Sequence, residues 1–198
     1  MLTGVAHLEG LRQQDTGSVD MAPPALSITG ALTQEKLVSA LHAVAGAHWC
    51  GGQVQIKGSS HTWEMALYTS DGVTLIAYDN AGHYTDPERI RLDRETKRIA
   101  EGRGHLLLRF PYWLQLDTLT LHHFFGLNAE VVPAVPHGFG ATSVLPVDFC
   151  EDGLRRFIRE LQALPRPVGD AVARSLKERA ETCGIHQVLP PHLHYLAE

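Results

Sequence analysis

The stretch Leu75–Leu116 decides the fold of this chain: it begins LIAYDNAGHY and continues from residue 86 as DPERIRLDRETKRIAEGRGHLLLRFPYWLQL. Its first segment is an apolar run ending in Asp79, which is typical of a strand covered on both faces. A charged segment follows. Asp86 before Pro87 is a common helix start, because aspartate caps free N–H groups and proline needs no donor in the first turn. A second, mostly apolar run ends at Pro111. The pattern therefore predicts strand, polar loop, helix and strand in succession.

Another helix and two more strands are predicted upstream of this stretch, and its first strand is predicted to begin at residue 73. Apolar residues at helical spacing predict a helix that begins at Thr33. Alternating or apolar runs predict strands over residues 53–57, 63–69 and 73–78. Asp71-Gly72, between the last two, is typical of a tight hairpin turn. The predicted order of elements is therefore helix, three strands, helix, strand.

Downstream, the sequence favours helices. Helical patterns cover residues 116–125, 152–163 and 169–183, whereas 129–145 is rich in Gly and Pro and is predicted to be a loop. We therefore predict an α/β fold with a mixed sheet, forming a single domain overall. In this prediction residues 1–30 are an irregular N-terminal arm, 31–127 are the core, and 128–198 are a helical C-terminal extension packed on the core.

Composition narrows the class of protein. The chain has 198 residues, of which 44% are hydrophobic and 20% charged, enough to bury a sizeable core. Its net charge of −5 weighs against a protein that coats nucleic acid, because such proteins are usually basic. No membrane span is expected, since no apolar run reaches eighteen residues. The N-terminus lacks the pattern of a secretory signal, and three widely spaced cysteines favour reduced thiols, so a cytoplasmic location is expected.

The predicted αβββαβ order, together with LIAYDNAGHY and LLLRFPYWLQL, resembles the PD-(D/E)XK nuclease superfamily, and within it the bacterial-type group of very-short-patch-repair-like endonucleases. The resemblance covers roughly residues 33–116 and implies a restriction-endonuclease-like core. In that group the third strand ends in Glu-x-Asp-Gly and a His follows. A charged helix then carries a Lys, and the last strand ends near Arg-x-Pro-Tyr.

The resemblance implies roles for individual residues. Asp79 and His83 match the family's Asp and His, Lys97 lies in the charged helix, and Arg109 matches the family's Arg. Ala77 stands where the family has its catalytic Glu. Nucleic-acid contacts are expected from Arg94, Arg98 and Arg109.

A second expected acid is also missing. The family's earlier carboxylate would fall near Met65 or Ala66, and neither side chain can bind a metal ion. The family's metal is Mg²⁺, which prefers oxygen ligands and is usually held by one or two carboxylates. The resemblance therefore implies a degenerate catalytic motif.

A relocated acid pair offers a way to rebuild the site. If Asp71-Gly72 forms the two-residue turn, Ser70 lies opposite Val73, and counting outward places Glu64 opposite Asp79. Glu64 and Asp79 would then hold the metal, with His83 as general base or a further ligand.

Each of these residues also has an ordinary structural interpretation. Asp79 could cap the loop that follows it, and Glu64 could be a solvated acid at the sheet edge. The basic residues around Lys97 alternate with acids along the helix, as in a surface face with intrahelical ion pairs. Their shared placement on the αβββαβ order is what favours a site.

Two functions follow as hypotheses. The alanine at position 77 favours a non-catalytic, nuclease-fold protein that retains a nucleic-acid or protein binding role, and the negative net charge then favours a protein partner over DNA. The alternative is an active metal-dependent DNA endonuclease that uses the Glu64/Asp79 pair with His83, Lys97 and Mg²⁺ or Mn²⁺. A third, more distant hypothesis is a small-molecule or lipid pocket near Trp113, Phe124 and Phe125, which would require an empty apolar cavity there.

Overall fold

A four-stranded mixed sheet lies at the centre of the chain. The computed structural model describes residues 25–55, 62–69, 72–134 and 149–197. Its strands are β1 (Leu26–Ile28), β2 (Trp49–Gln55), β3 (Thr62–Thr69), β4 (Gly72–Asp79), β5 (Leu106–Pro111) and β6 (Val131–Pro133). Its α-helices are α1 (Gln34–Ala45), α2 (Gly82–Thr85), α3 (Pro87–Glu101), α4 (Thr118–Phe125), α5 (Glu151–Ala163), α6 (Arg166–Cys183) and α7 (Ile185–Val188). Short 3₁₀ helices cover Gly46–His48 and Pro191–Leu196.

The main sheet has the strand order β2-β3-β4-β5. The pairs β2/β3 and β3/β4 are antiparallel, whereas β4 and β5 are parallel and are connected through α2 and α3. The predicted α/β class and the predicted order of helix, three strands, helix and strand are both confirmed. The predicted start of α3 is also correct, because the Asp86 side chain accepts hydrogen bonds from the backbone N–H groups of residues 88 and 89.

Strand β4 is central and covered on both faces, as its apolar sequence predicts. Ile76 belongs to the larger buried cluster, which also contains Leu41 and Phe110. Leu75 points to the opposite face and packs in a smaller cluster with Trp63. The last residue of the strand, Asp79, is therefore delivered to the edge of a well-packed core.

The C-terminal helices share the larger core. Phe157 of α5 and Val172 and Leu176 of α6 are fully buried in the same cluster as Phe110. Among the described helices, none combines the length and the apolar character needed to cross a membrane.

Two stretches predicted to be irregular contain a small second sheet. β1, within the predicted N-terminal arm, pairs in parallel with β6, within the predicted loop, and Leu26 lies opposite Val131. The expectation of irregular structure was therefore wrong at both segments. The remaining parts of those two predictions, residues 1–24 and 135–145, lie outside the described residues.

The predicted register of the β3/β4 hairpin was also wrong. Thr69 lies opposite Gly72 and Tyr68 opposite Val73, whereas a two-residue Asp71-Gly72 turn would have placed Ser70 opposite Val73. Met65 lies opposite Ile76, and the next position outward places Glu64 beside Ala77. The observed and predicted registers therefore differ by two residues. The Glu64/Asp79 pair therefore has no basis in the observed register, and the Glu64 side chain itself lies outside the described part of the structure.

Candidate functional site

The end of β4 and four neighbouring elements bring ionisable side chains together. Asp79 is the last residue of that strand, and His83 follows it in α2. Arg109 lies on the parallel neighbour β5, where it pairs with Ala77. The other two residues are Asp93 from α3 and Arg156 from α5. We call these five residues the ion-pair cluster.

Asp79 is the most buried member of the cluster, with no exposed surface. Its Oδ1 accepts a hydrogen bond from Arg109 Nη2 at 2.6 Å, and its Oδ2 accepts one from Arg109 Nε at 2.8 Å. Arg156 Nη2 donates a further hydrogen bond to Oδ2. Two guanidinium groups thus neutralise one buried carboxylate, which satisfies the requirement that a buried charge be paired.

Asp93 is bound by the same two arginines. Its Oδ1 accepts from Arg109 Nη2 at 2.6 Å, and its Oδ2 accepts from Arg156 Nη1 at 2.7 Å. His83 Nδ1 lies 2.7 Å from the same Oδ2. Each of the four carboxylate oxygens of Asp79 and Asp93 therefore has at least one partner in the cluster.

The pKa values of the cluster follow from these contacts. Burial on its own would raise the pKa of Asp93, but the hydrogen bond with His83 and the charge of Arg109 outweigh it, so the pKa lies below its ordinary value of 3.8. Burial would lower the pKa of Arg109, but its hydrogen bond and attraction to Asp79 raise it. The pKa of Arg156 is likewise raised against the effect of burial, chiefly by the charge of Asp79.

A second layer fixes Arg156. Its Nε donates to Glu160 Oε1 at 2.7 Å, and its Nη1 donates to the backbone oxygen of His83 at 3.2 Å. The guanidinium lies over the ring of Tyr84, 4.8 Å from its centre, and the Tyr84 hydroxyl donates to Glu160 Oε2 at 2.6 Å. Burial and the nearby Glu160 carboxylate raise the pKa of Tyr84 well above its ordinary value. The arginine is thus held on every side by groups from α2 and α5 and by the two aspartates.

Three other predicted site residues lie away from the cluster, whereas Arg109 belongs to it. Lys97 and Arg94 lie on the exposed part of α3, where Lys97 pairs with Glu101 at 3.6 Å and Arg94 with Asp152 of α5 at 3.0 Å. Arg98 is exposed on the same helix. Arg109 lies inside the cluster, with its side chain 15% exposed.

The side chains that could bind the Mg²⁺ implied by the family resemblance all belong to the ion-pair cluster. Asp79, His83 and Asp93 each present a ligand atom, and these atoms lie within 4.8 Å of one another, the one such group among the described residues. However, guanidinium or imidazole groups already contact every carboxylate oxygen, and Ala77 offers no ligand. In this arrangement the residues do not fit a magnesium ion, because Mg²⁺ needs carboxylate oxygens free to bind it.

Two clefts flank α3. The first, of about 410 Å³, is lined by Ala77, Asp79, His83 and Asp93 together with apolar residues of β3 and β4. The second, of about 710 Å³, lies between α3, β5 and α5. Its charged lining consists of five basic residues (Arg94, Lys97, Arg109, Arg156, Arg159) and two acidic ones (Asp93, Glu160). We call this second cleft the basic groove.

The sequence pointed to Asp79, His83 and Arg109, but not to Asp93 and Arg156. The sequence did contain a signal for Asp93. It lies three residues after Ile90 and seven before Ala100, so helical spacing places this acid on the same inner face of α3 as those two buried residues. No comparable signal existed for Arg156. It lies next to the buried Phe157, and only the docking of α5 against α2 brings it to Asp79.

Comparison of this chain with protein-family models, with curated proteins and with solved structures gave no match.

Proposed function

We propose that this chain is a non-catalytic protein with a restriction-endonuclease-like core, and that it binds nucleic acid along the basic groove. The core assignment is supported by the order α1, β2, β3, β4, α3, β5 and by the mixed sheet in which β4 and β5 are parallel. The observation that carries the proposal is the closed ion-pair cluster at the position where the family would hold its metal.

Hydrolysis of a phosphodiester by this family depends on a metal ion that stabilises charge on the phosphate and activates water. Here Ala77 supplies no carboxylate, and both acids of the cluster are held by Arg109 and Arg156. A site that cannot hold the metal ion lacks the main source of charge stabilisation on the phosphate. We therefore expect binding without cleavage.

The basic groove supports nucleic acid as the ligand. Arg94, Lys97 and Arg159 place exposed positive groups along one cleft of a chain whose net charge is −5. Arg159 has no ion-pair partner within 4.0 Å among the described residues. Local positive charge of this kind attracts phosphates even where the whole protein is acidic. This local arrangement is the reason we favour nucleic acid over a protein partner.

Charge-reversal variants test whether nucleic acid binds along the groove. Fluorescence anisotropy with labelled DNA is expected to show binding that weakens by about tenfold in the double variant Lys97→Glu/Arg159→Glu, because two phosphate contacts are lost. Arg166→Glu/Arg174→Glu is the matched control, since both side chains are exposed on α6 and neither lines the groove. Equal weakening in the control and the groove variant, or no binding at all, would contradict the proposal.

Plasmid nicking in Mg²⁺ or Mn²⁺ tests the absence of catalysis. We expect no cleavage above the level of a protein-free reaction. Nicking that is lost in Asp79→Ala would instead support the active endonuclease, with Arg109 and Arg156 leaving the carboxylates to admit a metal ion. Nicking that survives Asp79→Ala would identify a contaminant or another site.

A further inference from the structure

A small apolar pocket adjoins the basic groove. It has a volume of about 140 Å³, and its walls include Trp113, Leu114, Phe124 and Leu164. It shares three lining residues with the groove: Arg109, Glu160 and Ala163. A chain lying along the groove therefore passes the mouth of this pocket.

The size of the pocket matches one six-membered ring. A cavity of about 150 Å³ lined by apolar side chains accommodates a benzene molecule, so a pocket of about 140 Å³ holds a single pyrimidine base and excludes a base pair. Phe124, which is only partly buried, provides a flat surface of the kind on which bases stack.

We infer that the pocket receives one unstacked pyrimidine base of a single-stranded nucleic acid whose phosphates lie along the basic groove. The inference rests on the proposed function and adds to it the strand state of the ligand. A duplex keeps its bases paired and stacked and cannot fill the pocket without first extruding a base. Single strands offer their bases directly.

The test compares three labelled ligands by fluorescence anisotropy: an oligo(dT) of about 12 nucleotides, the same backbone with abasic sites, and a duplex of equal length. We expect the wild-type protein to bind oligo(dT) about tenfold more tightly than the other two, since only an unpaired base can enter the pocket and stack there. Equal affinity for oligo(dT) and the abasic strand would overturn the inference but leave the proposed function standing. Failure to bind any of the three would overturn the proposed function itself.

Two variants localise the effect. Ala163→Phe places a large side chain at the exposed end of α5, where the pocket meets the groove, and is expected to abolish the preference for oligo(dT) over the abasic strand. Ala163→Ser is its control and should retain the preference. Phe124→Leu keeps an apolar wall without an aromatic face and should reduce the preference by at least about threefold. A full preference in both Ala163→Phe and Phe124→Leu would exclude this pocket.

Discussion

Asp79 is a fully buried carboxylate whose charge is balanced by guanidinium groups from two different elements. Breaking such a pair is more damaging than its net contribution implies, because the remaining charge stays buried without its partner. The two arginines are therefore needed to stabilise the folded state. They also explain why the candidate metal site is closed.

Replacing Arg156 tests this role. Arg156→Met is expected to lower the free energy of unfolding by about 3 kcal/mol, since it removes one of the two cations next to buried Asp79. Arg155→Met, on the same helix, is the control, because the side chain of Arg155 is 67% exposed and surface ion pairs contribute about 0–1 kcal/mol. Urea unfolding followed by circular dichroism measures both. Similar losses in the two variants would show that the cluster does not stabilise the fold.

Asp93 makes stability depend on pH. Its pKa in the folded state lies below the ordinary value of 3.8, so its ion pairs contribute fully above that value and are lost as the pH falls through the folded pKa. We expect the stability difference between wild type and Asp93→Asn to narrow steadily below about pH 4. Urea unfolding at a series of pH values measures it. Asp170→Asn, at a carboxylate that is 63% exposed, should differ little from wild type throughout, whereas a constant difference for Asp93→Asn would contradict the assignment.

At this scale, the sequence pointed to the two strand residues of the cluster and to His83, but it did not point to Asp93 of α3 or Arg156 of α5. Asp79 ends β4, and Arg109 lies two residues before the end of β5, opposite Ala77, so their meeting follows from the parallel pairing of the two strands. Arg156 lies 77 residues after Asp79, and no local pattern encodes that approach. Predicting it would require the packing of α5, which depends on side chains from several elements.

Helix α5 reaches the cluster because a glycine allows it close to α2. At Gly153, an added Cβ would lie 1.7 Å from the backbone oxygen of Tyr84, so no other residue fits without moving the helix. Cys150 caps the same end of α5, where its sulfur accepts from the N–H of Gly153. This contact between main chains sets the position from which Arg156 reaches Asp79.

Alanine substitutions at two helical glycines give a direct test. Gly153→Ala is expected to reduce the free energy of unfolding by about 2–3 kcal/mol, because α5 must shift away from α2 and draw Arg156 off the aspartates. Gly169→Ala in α6 is expected to increase it by about 0.5–1 kcal/mol, because nothing lies within 4 Å of the added carbon and alanine favours the helix. Thermal unfolding measures both, and a gain in stability at Gly153 would refute the close contact.

The β3/β4 hairpin shows where an element can be predicted but its pairing cannot. A shift of one residue would turn every side chain to the other face, and the apolar pattern excludes it. The actual shift of two residues keeps each side chain on its face, so the pattern is equally satisfied by both registers. The Ser-Asp-Gly sequence at the turn permits either choice, and only the wrong choice places Glu64 opposite Asp79.

Across the whole molecule, local signals predicted the α/β class and the order of elements around the main sheet. The pairing of β1 with β6 escaped prediction, because each strand has three residues and their partners lie more than a hundred positions apart. Strands of that length carry no usable alternation. Long-range contacts of this kind, like the docking of α5, are fixed by packing over the whole chain.

The protein has an acidic net charge but a basic groove. The salt dependence of the binding constant shows whether a nucleic acid responds to the groove or to the net charge. For single strands, the logarithm of the binding constant falls with the logarithm of salt concentration by about 0.7 per neutralised phosphate. Three exposed groove residues, Arg94, Lys97 and Arg159, therefore predict a slope of about −2.

Changing the groove should change that slope. In Lys97→Glu/Arg159→Glu one of the three cations remains, so we expect a slope of about −0.7, measured by anisotropy over a range of salt concentrations. Arg166→Glu/Arg174→Glu alters the net charge by the same amount but lies outside the groove, and its slope should stay near −2. If the slope instead fell equally in both variants, the nucleic acid would be responding to the charge of the whole protein, because only a contact confined to the groove distinguishes these positions.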